Sequence, residues 1–123
     1  MIKNISILEQ EIKDFSLQKI ESITGFHLDY ENRLFKGQCI LDIEFLIQNQ
    51  GKPCIACFRF HNPNSIKFES GGMFHQLVIE IYDISDRGWE NKKFEVIDYE
   101  ENTLHFYCSE IEILSLKETQ PII

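Results

Sequence analysis

Proline occurs three times and glycine six times in the 123 residues, and neither gathers into a tract. That scarcity excludes a collagen-like repeat, a proline-rich stalk and a flexible linker. Alanine is scarce as well, with Ala56 inside an alternating run. A chain poor in this best of helix formers and rich in Ile and Phe leans towards strands. No stretch approaches the roughly 18 to 20 apolar residues that span a bilayer. After Met1-Ile2-Lys3-Asn4 the chain alternates apolar and polar residues, where a secretory leader needs an unbroken apolar run. We expect a cytoplasmic protein whose four cysteines, Cys39, Cys54, Cys57 and Cys108, are reduced thiols.

Basic residues are also in short supply. Twelve Lys and Arg face twenty Asp and Glu, for a net charge of −8. Residues 1–68 hold eight acids and eight bases, so residues 69–123, with twelve acids and four bases, carry the whole excess. Binding to DNA, RNA or anionic membrane draws its affinity from a basic surface, so these partners are disfavoured. A basic protein partner is compatible with the charge, as is plain solubility.

What the chain does have is length and alternation. Its 123 residues suit one domain, read as residues 1–123, with a core that needs no staples. At the N-terminus Ile5, Leu8, Ile12 and Phe15 recur at helical spacing, and Ser6 with Glu9 fits a capping box. We read a short helix to about residue 13 and a strand after it, although residues 5–23 can be written either way. Beyond Phe26 period-two alternation dominates. Glu31-Asn32-Arg33 reads as a turn. Cys39, Leu41, Ile43, Phe45 and Ile47 then share one strand face, and Ala56, Phe58 and Phe60 share another across a loop at 49–53. Further strands are read around Ile66–Phe68, 76–84, Phe94–Tyr99 and Leu104–Cys108. Ile111 and Ile113 continue the last one past a bulge. Seven or eight strands at about ten-residue spacing predict a mainly β fold, an antiparallel sandwich or open barrel, with a short N-terminal helix at most.

Few motifs carry chemistry. Cys54-Ile55-Ala56-Cys57 has the spacing of a zinc knuckle or a redox dithiol, and His61 follows four residues later. The motif enters the strand-like Phe58-Arg59-Phe60, however. Residues three apart in a strand point to opposite faces, which argues for structural thiols. The other histidines, His27, His75 and His105, form no ligand pair in sequence, although a chain crossing could bring His61 to His105. No nucleophile elbow or phosphate loop is present, and Ser70-Gly71-Gly72 reads as a turn. The carboxylate pairs Asp83/Asp86, Glu100/Glu101 and Glu110/Glu112 read as solvated strand edges and loops. We expect no cofactor.

One loop stands out. Asp83-Ile84-Ser85-Asp86-Arg87-Gly88-Trp89-Glu90 places the single tryptophan among polar residues. Trp and Arg are favoured interface anchors, which makes Asp83, Asp86, Arg87, Trp89 and Glu90 the candidate partner-binding residues. The alternative is that Trp89 folds back over the end of the core.

Asp14-Phe15, Leu34-x-x-Gly37-x-Cys39, Phe58-Arg59-Phe60 and Asp98-Tyr99-Glu100 before Leu104-x-Phe106 together extend over most of the chain. In this layout the chain resembles small β-rich domains of Gram-positive bacteria, some of them found near toxin genes and of immunity-protein type. The resemblance implies a small acidic protein that acts by binding another protein. The leading expectation is therefore a non-enzymatic protein-binding domain of immunity or adaptor type. A small-molecule-binding β-barrel, carrier or enzyme, is the alternative. Metal binding through Cys54, Cys57 and His61 is a second alternative, and a homodimer is compatible with all three.

Overall fold

The computed structural model describes residues 2–32, 38–69, 78–90, 92–99 and 103–119. The alternation of the sequence becomes strands β1 (Ile2–Lys3), β2 (Ile20–Asn32), β3 (Gln38–Asn49), β4 (Lys52–His61), β5 (Asn64–Phe68), β6 (Ile79–Asp83), β7 (Phe94–Asp98), β8 (Leu104–Cys108) and β9 (Glu110–Glu118). A short helix, α1 (Ser6–Glu11), follows β1. One sheet has the order β1-β9-β4-β3-β2, the other β5-β8-β7-β6. Every pairing is antiparallel except that of β1 with β9. The expected mainly β sandwich is therefore present, and the sheets do not close into a barrel. The described residues hold nine strands where the alternation predicts seven or eight. Strand β1 escapes notice because two residues cannot display a period.

The period-two faces meet in the middle. Leu41, Ile43, Phe45 and Ile47 of β3, Ala56, Phe58 and Phe60 of β4, and Ile111 and Ile113 of β9 are all buried. They pack against Val96, Leu104, Phe106 and Cys108 from the four-stranded sheet. Phe58 sits edge-on to Phe45 at 5.0 Å, and Phe60 meets Phe106 edge-on at 4.9 Å, both favoured aromatic geometries. These rings fill the space between the sheets. Leu8 and Ile12, one helical turn apart, bring α1 onto the same core, and Asn49 Nδ2 donates to the Glu11 carbonyl at 3.0 Å.

Several local readings change. Ser6 is the first residue of α1 and not its cap; Ile5 occupies the cap position and no side chain caps the helix. After α1 comes a short 3-10 turn at Leu17–Lys19, so the strand starts at Ile20, later than the alternation implied. Glu31 and Asn32 belong to β2 and do not turn. The 49–53 loop contracts to Gln50 and Gly51, both left-handed, the two-residue turn that matches strand twist. Leu34, Gly37, residues 70–72, His75, Leu77 and Glu100-Glu101-Asn102 lie outside the described residues.

The largest correction concerns the final strands. Strand β9 is not a continuation of β8 past a bulge. At Ser109 the chain leaves the four-stranded sheet and enters the five-stranded one. The opposite crossing occurs at Asn62-Pro63, between β4 and β5. The two corners are bonded to each other. Ser109 N donates to the His61 carbonyl at 2.9 Å, and Asn62 Nδ2 donates to Ser109 Oγ at 3.0 Å. Asn62 N donates to the Cys39 carbonyl at 2.9 Å. Asn62 takes φ 52°, a left-handed conformation that Asn tolerates better than most residues. A true bulge lies further along β9. Ile113 pairs with Phe58 and Ser115 with Cys57, which leaves Leu114 unmatched and turns it outward.

Phe60 is fully buried between Phe58 and Phe106, so Phe60→Ala removes contacts from both sheets at once. The expected loss is about 3–5 kcal/mol of unfolding free energy, read from urea denaturation with an unchanged m-value.

Candidate partner-binding surface

The loop after β6 is built around one apolar peg. Ile84 is buried, and its amide donates to the Lys93 carbonyl at 2.8 Å, closing the base of the loop. Lys93 N donates to the Cys108 carbonyl at 2.9 Å, which fastens the returning chain to β8. Between these points Ser85–Arg87 form a 3-10 turn. Asp83 Oδ1 accepts from Ser85 N at 2.9 Å and from Ser85 Oγ at 2.6 Å. Gly88 follows at φ 71°, where a Cβ would be strained, and lets the chain double back.

This path carries Trp89 over the outward face of β8. Its ring meets Tyr107 at 5.9 Å between centroids, nearly perpendicular. His105, two residues along the same face, lies 5.2 Å from Tyr107. The Arg87 guanidinium stands 5.2 Å from the Trp89 ring centroid. Lys92 Nζ lies 5.5 Å from Trp89 and 4.9 Å from Tyr107. Trp89 remains 42% exposed. It therefore does not fold back over the core; it is propped on the outside of the four-stranded sheet.

The candidate residues have different fates. Asp83 spends its carboxylate on Ser85, whose hydroxyl and amide hold its pKa below the usual 3.8. Asp86, Arg87 and Glu90 are exposed. Asp86, with Arg87, Tyr82, Ile84 and Glu95, borders a shallow open groove beside the loop. Sequence reasoning missed Tyr107, His105 and Lys92 as members of this surface. The alternation of β8 already turned His105 and Tyr107 away from the core; that the Trp89 loop would lean over them was not readable.

The opposite outer face, on the five-stranded sheet, carries several ion pairs. Arg59 of β4 forms a two-pronged ion pair with Asp42 of β3, both contacts at 2.9 Å. The bond to Asp42 raises the already high pKa of the guanidinium. His61 Nε2 lies 2.7 Å from Glu112, and Lys3 Nζ lies 2.7 Å from Glu110. His61 and His105 stand on opposite outer faces, so the crossing does not unite them. His105 Nε2 instead meets Glu95 at 2.8 Å.

The Cys54, Cys57, His61 set does not converge either. Cys54 points inward beside Ala56 and is buried, whereas Cys57 and His61 face outward. Among the described residues no group of three His, Cys, Asp or Glu side chains is placed to hold a metal ion. All four cysteines are free thiols. Burial raises the pKa of each, and pushes Cys108 up to about 12. Nearby carboxylates add to the rise at Cys39, Cys54 and Cys57. Among the described residues no helix is long and apolar enough to cross a membrane.

A two-layer β protein with ion pairs across one outer face and an aromatic–cation cluster exposed on the other has the features of a protein-binding module. Comparison with known families makes this specific. Residues 32–114, about two-thirds of the chain, match the family described as Immunity protein PIM8, and the chain belongs to that family. The matched span runs from the end of β2 into β9 and includes both sheet crossings and the Trp89 loop. No curated protein and no solved structure matches the chain.

Two outcomes follow for these groups. Alkylation of the native protein at pH 8 labels Cys39 and Cys57 slowly, and Cys54 and Cys108 only once denaturant is added; mass spectrometry of the labelled peptides reads the order. Ser85→Ala returns the Asp83 pKa towards 3.8, followed by NMR titration of the carboxyl carbon. The sign is fixed by the downward shift. The stabilisation is complete above the usual carboxylate value and fades as pH falls through the lowered one.

Proposed function

We propose that this chain is a non-enzymatic immunity protein that binds a toxin protein in the cytoplasm and blocks its action. Membership of the immunity family supports the class, and the exposed, propped Trp89 supports the place. A half-exposed tryptophan costs a free protein some solubility. Held by Tyr107, Arg87 and Lys92, it also loses little conformational freedom on docking, which favours tight binding. The contact region in this reading comprises Asp83, Asp86, Arg87, Trp89 and Glu90 together with Tyr107 and His105 on β8. The net charge of −8 favours a toxin that is basic as a whole, because opposite long-range fields speed encounter.

The test is joint production with the toxin domain encoded beside its gene. Cells survive when the full chain is present, and the purified pair forms a stoichiometric complex. Trp89→Ala weakens that complex at least about tenfold, whereas Glu118→Ala changes it by less than about twofold, as expected for a central aromatic against a peripheral charge. Equal affinity of the two variants places the contact elsewhere; no rescue and no complex removes the function.

A further inference from the structure

Three of the four bases in the acidic segment 69–123, Arg87, Lys92 and Lys93, flank the single tryptophan. Some described bases meet carboxylates: Lys3 meets Glu110, Arg59 meets Asp42, His61 meets Glu112 and His105 meets Glu95. Arg87 and Lys92 are held differently, on aromatic rings. Asp83, Asp86 and Glu90 lie within a few residues along the chain, yet Arg87 and Lys92 pair with no carboxylate among the described residues. Both stand over aromatic rings instead. An aromatic face holds a cation in place without neutralising it, so the charge stays available to an anion. In Arg87, moreover, the guanidinium 5.2 Å from the Trp89 ring centroid has donors in a fork that suits a paired contact with a carboxylate.

We infer that the Trp89 face receives a carboxylate-bearing segment of the partner protein, an Asp or Glu side chain reaching Arg87 and Lys92 while its apolar neighbours cover Trp89 and Tyr107. This rests on the immunity reading for the identity of the partner. It reverses, at the point of contact, the preference that the net charge sets at a distance. The −8 field draws in a basic protein, and the contact then selects an acidic side chain on it. A basic side chain is a poor occupant, because it would bring a third cation beside Arg87 and Lys92. Glu95, on the same sheet, is already engaged through Oε2 with His105 at 2.8 Å.

Trp89 is the only tryptophan, so its emission reports on this surface alone. The full chain is titrated with the toxin domain and, separately, with a short peptide of alternating Asp and Gly and its Asn-for-Asp counterpart. The toxin shifts Trp89 emission. Arg87→Glu with Lys92→Glu lowers toxin affinity at least tenfold, whereas Arg87→Lys with Lys92→Arg stays within about threefold. A circular dichroism spectrum and urea midpoint like those of the unaltered chain show that the double variant is folded. The Asp peptide perturbs the emission and the Asn peptide does not. If the unaltered chain binds the toxin and the double Glu variant binds equally well, the inference falls while the immunity function stands. If no toxin binds, the immunity function falls, and the peptide pair alone decides whether the face takes carboxylates. Equal response to both peptides then overturns the inference.

Discussion

The molecule depends on a small hydrogen-bonded knot where the chain changes sheets. Asn62 and Ser109 stand at the two crossings, and both are tied to one strand end: Ser109 to the His61 carbonyl, Asn62 to Ser109 and to Cys39. Each corner leaves backbone groups without a ladder partner, and buried amides without partners are costly. Here the corners satisfy one another. That arrangement lets β8 end in one sheet and β9 begin in the other without an open loop. It inserts β9 between β1 and β4, and it lays the phenylalanines of β4 over Phe106 of β8.

The knot also assigns the outer faces their characters. Because β4 and β9 lie side by side, His61 meets Glu112, and Arg59 is left for Asp42 on the other side. Both pairs are largely shielded from solvent, with side-chain exposures of 23% and 22% for Arg59 and Asp42 and of 9% and 22% for His61 and Glu112. Their consequence is that Arg59, Asp42, His61 and Glu112 have their charges met within the sheet. The sheet of β5 to β8 has one His–Glu contact, and beyond it an aromatic cluster with cations poised on its rings. Cation–ring contacts at such exposure contribute about 0.5–1 kcal/mol each. They can therefore be exchanged for a partner's carboxylate at little cost, whereas a two-pronged Arg–Asp pair would first have to be broken. In the proposed reading, this difference between the two faces assigns recognition to the one that carries the Trp89 cluster.

Much of this was legible in the residues. The alternation of β3 and β4 named the core faces side by side, and the spacing of Cys54 and Cys57 in a strand already set their sulfurs apart. The odd placement of Trp89 in a polar loop drew attention to the residues that now frame the exposed cluster. Tyr107 and His105 were passed over because they sit on an ordinary outward face of β8, and Lys92 because it reads as one more polar residue of the loop before β7. The meaning of the two β8 residues comes from the Trp89 loop, which precedes β7 and leans over them. The sum of charges pointed to an acidic contact region, but a sum carries no directions. Among the described residues the same segment holds Asp86 and Glu90, and Arg87 and Lys92, none of them in an ion pair.

The sequence by itself determined the strand class, the inward and outward residues of each long strand, and the separation of the paired cysteines. These follow from the two-residue period, which depends only on local backbone geometry. Tertiary structure alone decided that β9 departs from β8, that two residues at the start add a parallel strand, and that Trp89 lies on Tyr107. Each of those is a long-range pairing. It is fixed by which distant groups can satisfy one another's hydrogen bonds and charges, and no local pattern encodes that choice.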